Sequence, residues 1–591
     1  MNRILLALVC VFLSGLGYAT SDQQARSSHA VISLESMGAR PNDPNFNSRL
    51  PFQKAMAKLQ VTGGGILSIS PGDYYLNFPD IASDVDSNDA KNAALLKEKD
   101  LKKEKIILVP PGVLVQGTLD ESGNPRTRIH WNAASFPILS FINSDGSGVK
   151  DIAFVFDGLQ PQFFPWSQEK FLEEVGYKSR WLGGPYEIST VIYAIGSSNL
   201  RFDNISFRSG KKPADNEHTL AFGIVLKGKG PVTQPDPNVL KALPFGVKIP
   251  GGGLSECASN NVFRSLRFQD YVMGILASGQ CSPVFENIDG NYRGSWYRSF
   301  NPSHETGTEI KNIGPPGHLI YLSFQTAYDM ERSLDAPTGH QVFHSTTRNQ
   351  DVVVRNIKEG PQTLSNVNSL GTLALKNIDH GMVANVVSQH PAGLIQSMID
   401  AHEVELDSLS WSSDVDICTD EHSPASCGIP VVDLEPGPVD SDSQFSSKVR
   451  FRNINLRSPS HPATFKVSQE SGSGPLSRDI SVDGLKIESD AVFPPNQASP
   501  LGIITLRSIS THFTNVQYKP LIPADAPPDR EKYSALIQSR SGNTTVEMMI
   551  EVPNGTPDDA PAYKCVIEKQ QGQSQNTEEG NKCQIVRKHV K

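Results

Sequence analysis

The residues best suited to chemistry gather between positions 291 and 344. This window holds Tyr292, Trp296, Tyr297, Arg298, His318, Tyr321, Tyr328, Asp329, Glu331, Arg332 and His344, and eight of the 14 histidines fall between His304 and His422. A proton acceptor, a proton donor and a cation together suit abstraction of a proton beside a carboxylate, with an oxygen leaving from the next carbon. His318 and Tyr321 supply the first two types, and Arg298 or Arg332 the third. Paired carboxylates suit hydrolysis instead. Asp329 with Glu331, or Asp414 with Asp416, share one face of a strand at spacing i and i+2. His318 and Tyr321, three residues apart, face opposite sides of a flat strand, so one site takes both only if the chain bends there. No CxxC unit or EF-hand loop occurs. No cofactor or metal is therefore expected, with calcium at Asp414 and Asp416 as the alternative.

A repeated short phrase supplies the elements that must position these residues. It reads apolar, polar, Asn or a small residue, then Ile or Leu, as in Phe202-Asp203-Asn204-Ile205, Phe285-Glu286-Asn287-Ile288, Val354-Arg355-Asn356-Ile357 and Phe451-Arg452-Asn453-Ile454. Successive gaps are often about 21 to 25 residues or near twice that, the period range of solenoid repeats. Each phrase alternates inward apolar and outward polar residues. One such strand cannot bury its inner face alone, whereas stacked coils share a continuous core. Asn tolerates the backbone angles of a repeated bend, and its amide can bond the Asn of the next coil. Irregular gaps argue against a β-propeller or sandwich. The expectation is an all-β, parallel β-helix (a solenoid) over residues 20–515.

Composition agrees with this reading. The 591 residues include 47 Gly and 42 Pro, which suits many short strands joined by turns. Residues 1–19 read as a signal peptide, with Arg3 before a short apolar core, and no later stretch is apolar enough to be a transmembrane helix. The expected location is secreted or periplasmic, with no membrane anchor. A net charge of −9 argues against nucleic acid as a partner. The sequence does not specify an oligomeric state. Beyond Cys10, the cysteines form three local pairs, Cys257 with Cys281, Cys418 with Cys427, and Cys565 with Cys583. Nearest-neighbour disulfides are expected among the 15 pairings that six cysteines allow. Residues 81–105 read as a charged helical excursion, 429–448 as a loop or linker, and 516–591 as a small C-terminal β cap.

The N-terminal region resembles the pectate-lyase-like superfamily of right-handed parallel β-helix proteins, which includes polysaccharide lyases and relatives of glycoside hydrolase family 28. The resemblance rests on Gly38-Ala39-Arg40, a capping helix after Ser48 with Phe52, Ala55, Met56 and Leu59 on one face, Gly63-Gly64-Gly65, and Ser70-Pro71-Gly72-Asp73-Tyr74. Val109-Pro110-Pro111-Gly112 continues it. It departs at Pro41-Asn42-Asp43-Pro44-Asn45, where many members carry Gly-Asp-Gly. The resemblance implies an acidic polysaccharide as substrate and β-elimination, hydrolysis or epimerisation as the reaction. A non-catalytic glycan-binding β-helix is a further alternative. On this reading His318 and Tyr321 lie near the reacting sugar, and Arg298 or Arg332 near its carboxylate. Tyr292, Trp296, Tyr297, Tyr328 and His344, with Trp166 and Trp181 from the aromatic excursion at 159–187, would contact the chain. The full signature sets of polygalacturonases, pectate lyases proper and alginate epimerases do not occur, so the reaction stays open between lyase and hydrolase.

Overall fold

The computed structural model describes residues 30–76, 106–131, 137–157, 190–209, 220–229, 248–249, 256–292, 299–300, 310–311, 318–323, 325–331, 340–360, 371–390, 393–414, 430–435, 445–459, 463–467, 477–489, 504–506, 508–521, 536–538, 544–553, 565–567 and 582–590. Residues 1–19, expected to be a signal peptide, and residues 81–105 and 159–187 lie outside them.

The chain winds as a right-handed parallel β-helix, with 28 strands in one continuous hydrogen-bonded ladder. Three faces recur along it. On the first, Leu139, Ile192, Ile224, Ile275, Ile320, Leu373 and Ile395 occupy successive rungs. On the second, Val149, Phe202, Phe263, Phe285 and Val354 do the same. On the third, Ile129, Phe154, Phe207 and Phe268 are in register. Like side chains therefore stack on like. Phe202, Phe263 and Phe285 stack with centroids 5.1 and 5.0 Å apart, and Phe154, Phe207 and Phe268 with 5.6 and 4.7 Å. All six rings are buried, and removing one from such a core costs about 3–5 kcal/mol.

The bend between the second and third faces explains the repeated phrase. Asn204, Ser265, Asn287, Asn356, Asn385, Ser408, Asn453 and Asn515 all have φ between 51° and 59°. This left-handed region is one that Asn enters more readily than other side chains. The bend residues also bond along the stack. Asn356 Nδ2 donates to Asn287 Oδ1 (3.0 Å), Asn385 Nδ2 to Asn356 Oδ1 (3.1 Å), and Asn204 Nδ2 to Asp151 Oδ1 (3.0 Å). The expected coil-to-coil amide bond is thus present.

The helix Arg49–Val61 covers the N-terminal end and buries Phe52, Ala55, Met56 and Leu59. Ser48 sits at the cap position but makes no side-chain cap bond; instead the Arg49 N–H donates to Asn47 Oδ1 (3.0 Å). Gly65 follows at φ 136°, and a Cβ there would lie 2.2 Å from the Ala30 carbonyl oxygen. Only glycine lets the first coil pass that close.

Two expectations about organisation are corrected. Residues 429–448 are not simply a linker, because Val432–Leu434 pairs with Ile395–Ser412 and with Phe465–Val467. Nor does the ladder stop at 515. Thr545–Pro553 pairs in parallel with Ser508–Pro520 and Lys582–Val590 with Thr545–Pro553, while Cys565–Ile567 continues the first face. The alternating pattern that suggested a separate cap belongs to the last coils. Cys257 and Cys281 form the expected disulfide, beside the parallel pair Ser259 and Cys281, and so tie neighbouring coils. Cys583 is also disulfide-bonded. Cys418 and Cys427 lie outside the described residues.

Asn356 both donates and accepts in the bend stack. Asn356→Ala should destabilise the protein by about 2 kcal/mol in urea unfolding, from the lost amide bonds and the left-handed backbone. Asn356→Gly should cost about half as much, and equal losses would show that the amide bonds alone matter.

Candidate functional site

The outward side chains of the third face form two parallel columns. One runs Asp73, Arg128, Ala153, Ser206, Arg267, Asp289 on successive rungs. The other runs Tyr75, His130, Val155, Arg208, Gln269, Asn291. Ala153 and Ser206 are small, while Arg128 and Arg267 flank them, so the surface dips between two guanidinium groups. The result is an open cavity of about 580 Å³, bordered by Arg128, Arg208, Arg267, Gln269, Asp289 and Asn291. Phe207 and Phe268 lie buried beneath it and hold its floor in the core stack.

A tight turn makes one wall. Asp120 Oδ1 accepts from the N–H groups of Ser122 (2.9 Å) and Asn124 (2.8 Å). The turn is then pinned to the coils, since Arg267 Nη1 donates to Asn124 Oδ1 (2.9 Å) and Asn204 Nδ2 to the Gly123 carbonyl (3.1 Å). Arg208 is exposed and has no hydrogen-bond or ion-pair partner among the described residues. Asp289 and Asn291 are exposed at the far end.

At the N-terminal end of the groove lies a charged cluster that shares Arg128. Arg128 meets Asp73 through Nη2 and Oδ2 (2.8 Å) and through its Nε. His130 sits between two carboxylates, with Nε2 2.9 Å from Asp73 Oδ1 and Nδ1 2.7 Å from Asp157 Oδ2. Tyr75 stacks on its ring with centroids 4.8 Å apart. The hydrogen bond from Arg128 holds the Asp73 carboxyl down at about 2 against the opposing effect of burial, with His130 adding to it. Burial pulls the His130 imidazole down, but the hydrogen bonds and charges of Asp157 and Asp73 outweigh it and raise the group. The cluster therefore presents a fixed carboxylate and a ready imidazolium.

The window anticipated from sequence is divided differently. His318 begins the first-face strand His318–Ser323 and is 1% exposed. Its Nδ1 lies 2.7 Å from the Gly371 carbonyl oxygen, and burial pushes the imidazole down to about 3. Tyr321 does meet it, with ring centroids 5.2 Å apart, and the Lys376 ammonium lies 5.2 Å from the Tyr321 centroid. This pair belongs to the first face, away from the groove. Tyr328, Asp329 and Glu331 fall in Gln325–Glu331, which pairs antiparallel with His340–Thr347, placing Ala327 opposite His344. That hairpin stands off the parallel ladder in a separate sheet with Lys248–Ile249. Tyr292 ends the strand Val284–Tyr292, one residue beyond the groove's Asn291. Trp166, Trp181, Trp296, Tyr297, Arg298 and Arg332 lie outside the described residues. Asp414 makes an exposed ion pair with Arg457 (3.6 Å), and Asp416 is not described. Among the described residues, no cluster of three or more His, Cys, Asp or Glu is arranged to hold a metal.

The groove residues went unread because they are scattered from Asp73 to Asn291. The phrase itself carries the signal that finds them. Counting two and four positions on from the bend residue gives Ser206 and Arg208, Arg267 and Gln269, and Asp289 and Asn291.

No family model matches the chain, and no curated protein matches it either. Several solved structures are similar at low identity. An exopolygalacturonase from Thermotoga maritima is 10% identical, with 83% of this chain and 87% of that one covered and a TM-score of 0.34. An endo-xylogalacturonan hydrolase from Aspergillus tubingensis is 10% identical, covering 91% and 100%, with a TM-score of 0.34. A surface adhesin of Streptococcus pneumoniae is 12% identical, covering 92% and 90%, with a TM-score of 0.35. The architecture rests on the chain's own strand register, and these likenesses decide nothing about its activity.

A histidine raised by two carboxylates is stabilising below about pH 6.5, and this contribution is lost as pH rises through the folded value. Asp73, held at about 2, contributes above about pH 3.9 and loses that contribution as pH falls toward 2. Proton NMR should find His130 titrating above the ordinary histidine value, and Asp73→Asn should bring it down. A His130 value at or below about 6.5 would contradict the cluster as described.

Proposed function

We propose that the third-face groove binds an acidic polysaccharide and that the protein cleaves it by β-elimination at a uronate. The observation that carries this reading is the set of Arg128, Arg208 and Arg267 around one shallow groove, with Arg208 unpaired among the described residues. Arginine presents a planar fork that matches a carboxylate. A groove running across parallel coils suits an extended chain better than a compact ligand. Arg208 and Arg267 neutralise the uronate carboxylate, which makes the adjacent proton more acidic. Asp289, the exposed carboxylate beside Arg267 in register, serves as base, and water entering the open groove protonates the leaving oxygen, since His130 lies four rungs from Asp289, about 19 Å at strand spacing. Asp73 is too acidic at about 2 to donate a proton at neutral pH, which disfavours it as the acid of a two-carboxylate hydrolase.

The buried His318 does not serve this groove in our reading. Asp157 and Tyr292 are the last described residues before segments 158–189 and 293–298. We assign to those segments the sugar contacts of Trp166, Trp181, Trp296 and Tyr297, and an accessory carboxylate contact to Arg298. We read the protein as exported, from its N-terminal segment and from the Cys257–Cys281 disulfide, a bond that persists in oxidising compartments. Among the described residues, no helix is long and apolar enough to cross a membrane.

Incubation with polygalacturonate and alginate tests the proposal. The expected result is ultraviolet absorbance of an unsaturated uronate, with Arg208→Ala and Arg267→Ala each lowering kcat/KM by about 10- to 100-fold, the loss of one charge-assisted hydrogen bond. Reducing ends without that absorbance would replace the lyase with a hydrolase. Binding without cleavage would leave a glycan-binding protein, and failure to bind either polyanion would overturn the whole reading.

A further inference from the structure

A second constellation lies far from the groove, at the bend leading into the second face. There His402, Ser447 and Arg478 occupy successive rungs of one column. His402 Nδ1 lies 2.6 Å from Ser447 Oγ, and its Nε2 lies 3.0 Å from Asp400 Oδ1. A carboxylate only accepts, so Nε2 carries the proton and Nδ1 is left to accept from the serine hydroxyl. Asp400 is 1% exposed. Arg348 fixes it from behind, donating from Nη1 to Asp400 Oδ2 (2.7 Å) and from Nη2 to the Asp400 carbonyl (2.7 Å). The Arg348 Nε in turn meets Asp379 Oδ2 (2.8 Å). His402 remains 24% exposed and Ser447 is half-buried, so both are reachable from outside. Phe445 packs edge-on to the His402 ring, centroids 5.8 Å apart, and carries the Arg478 guanidinium 4.4 Å over its own ring.

We infer that Ser447, His402 and Asp400 form a nucleophile, base and orienting acid for acyl transfer, acting on a carboxylic ester. The order of bonds is the functional one, and the acid is locked before any substrate arrives. In the first half-reaction Ser447 Oγ attacks the ester carbonyl carbon as its proton passes to His402 Nδ1. The carbonyl electrons move onto oxygen. Collapse expels the alcohol, which takes the proton back from His402 and leaves an acyl-serine. Water then attacks the acyl carbon with His402 again as base, releasing the carboxylic acid and restoring the hydroxyl. The Ser447 N–H is committed to the ladder, donating to the Ala401 carbonyl (2.9 Å). The charge on the tetrahedral oxygen therefore falls to Arg478, the cation on the next rung, rather than to a backbone oxyanion hole. Arg348 is a positioning residue, since it acts through Asp400.

The test uses the full-length protein with a fluorophosphonate and, separately, with p-nitrophenyl acetate. One phosphonyl group should attach per chain, at Ser447 by peptide mass spectrometry, and Ser447→Ala should abolish both labelling and ester hydrolysis. His402→Gln should slow labelling at least 100-fold with the circular dichroism of the strands retained. Should that variant misfold, Asp400→Asn provides the second readout, a slower labelling rate with an altered pH profile. An unlabelled Ser447, or labelling that persists undiminished in His402→Gln, would reduce the constellation to a structural hydrogen-bond stack and overturn the inference. The small ester and the phosphonate need no polysaccharide, so this outcome is independent of the groove's fate.

Discussion

The parallel backbone ladder is the constraint on which everything else depends. Each coil must hand its hydrogen-bonding groups to the next in register, and therefore every outward side chain is stacked on the one below. The register that aligns Phe202, Phe263 and Phe285 inside also aligns Arg128, Ala153, Ser206 and Arg267 outside. The Asn bends keep that register by taking the left-handed turn and bonding from coil to coil. Slippage of a single residue would turn the core outward and scatter the groove.

Much of this was legible in the chain. The phrase ending in Asn-Ile marks the bend, and the Gly63-Gly64-Gly65 run and the helix Arg49–Val61 mark the N-terminal end. The site was less legible, for a physical reason. Period-two reasoning assumes a strand with one wet face, and the first face breaks that assumption. Thr190–Ile195 is buried at every position, and His318, Leu319 and Ile320 are buried in a row. An imidazole placed on such a strand becomes a core group, as parallel sheets covered on both sides require. The C-terminal coils were misread because their bends lack the Asn that flags the earlier ones, although their strands pair in the same way.

Electrostatics distinguish the two constellations on this scaffold. In the groove, cations outnumber their partners. Asp73 neutralises Arg128, His130 is drawn toward its charged form, and Arg208 faces outward unpaired among the described residues. Such a surface attracts an anion. At the bend, the charges are closed on one another. Arg348 is held between Asp379 and Asp400, and what reaches the surface is the Ser447 hydroxyl, backed by an imidazole and beside the Arg478 guanidinium. That arrangement is suited to a polar, uncharged group rather than to a polyanion.

The proposed activity requires an acidic chain to lie in the arginine groove. The most direct measurement is a crystal structure with a bound uronate oligosaccharide. Sugar carboxylates are expected within hydrogen-bond distance of Arg208 and Arg267, with the chain running across the rungs between Arg128 and Asn291. An oligosaccharide seated elsewhere, for instance along the hairpin of Gln325–Glu331 and His340–Thr347, with the arginine groove empty, would contradict it.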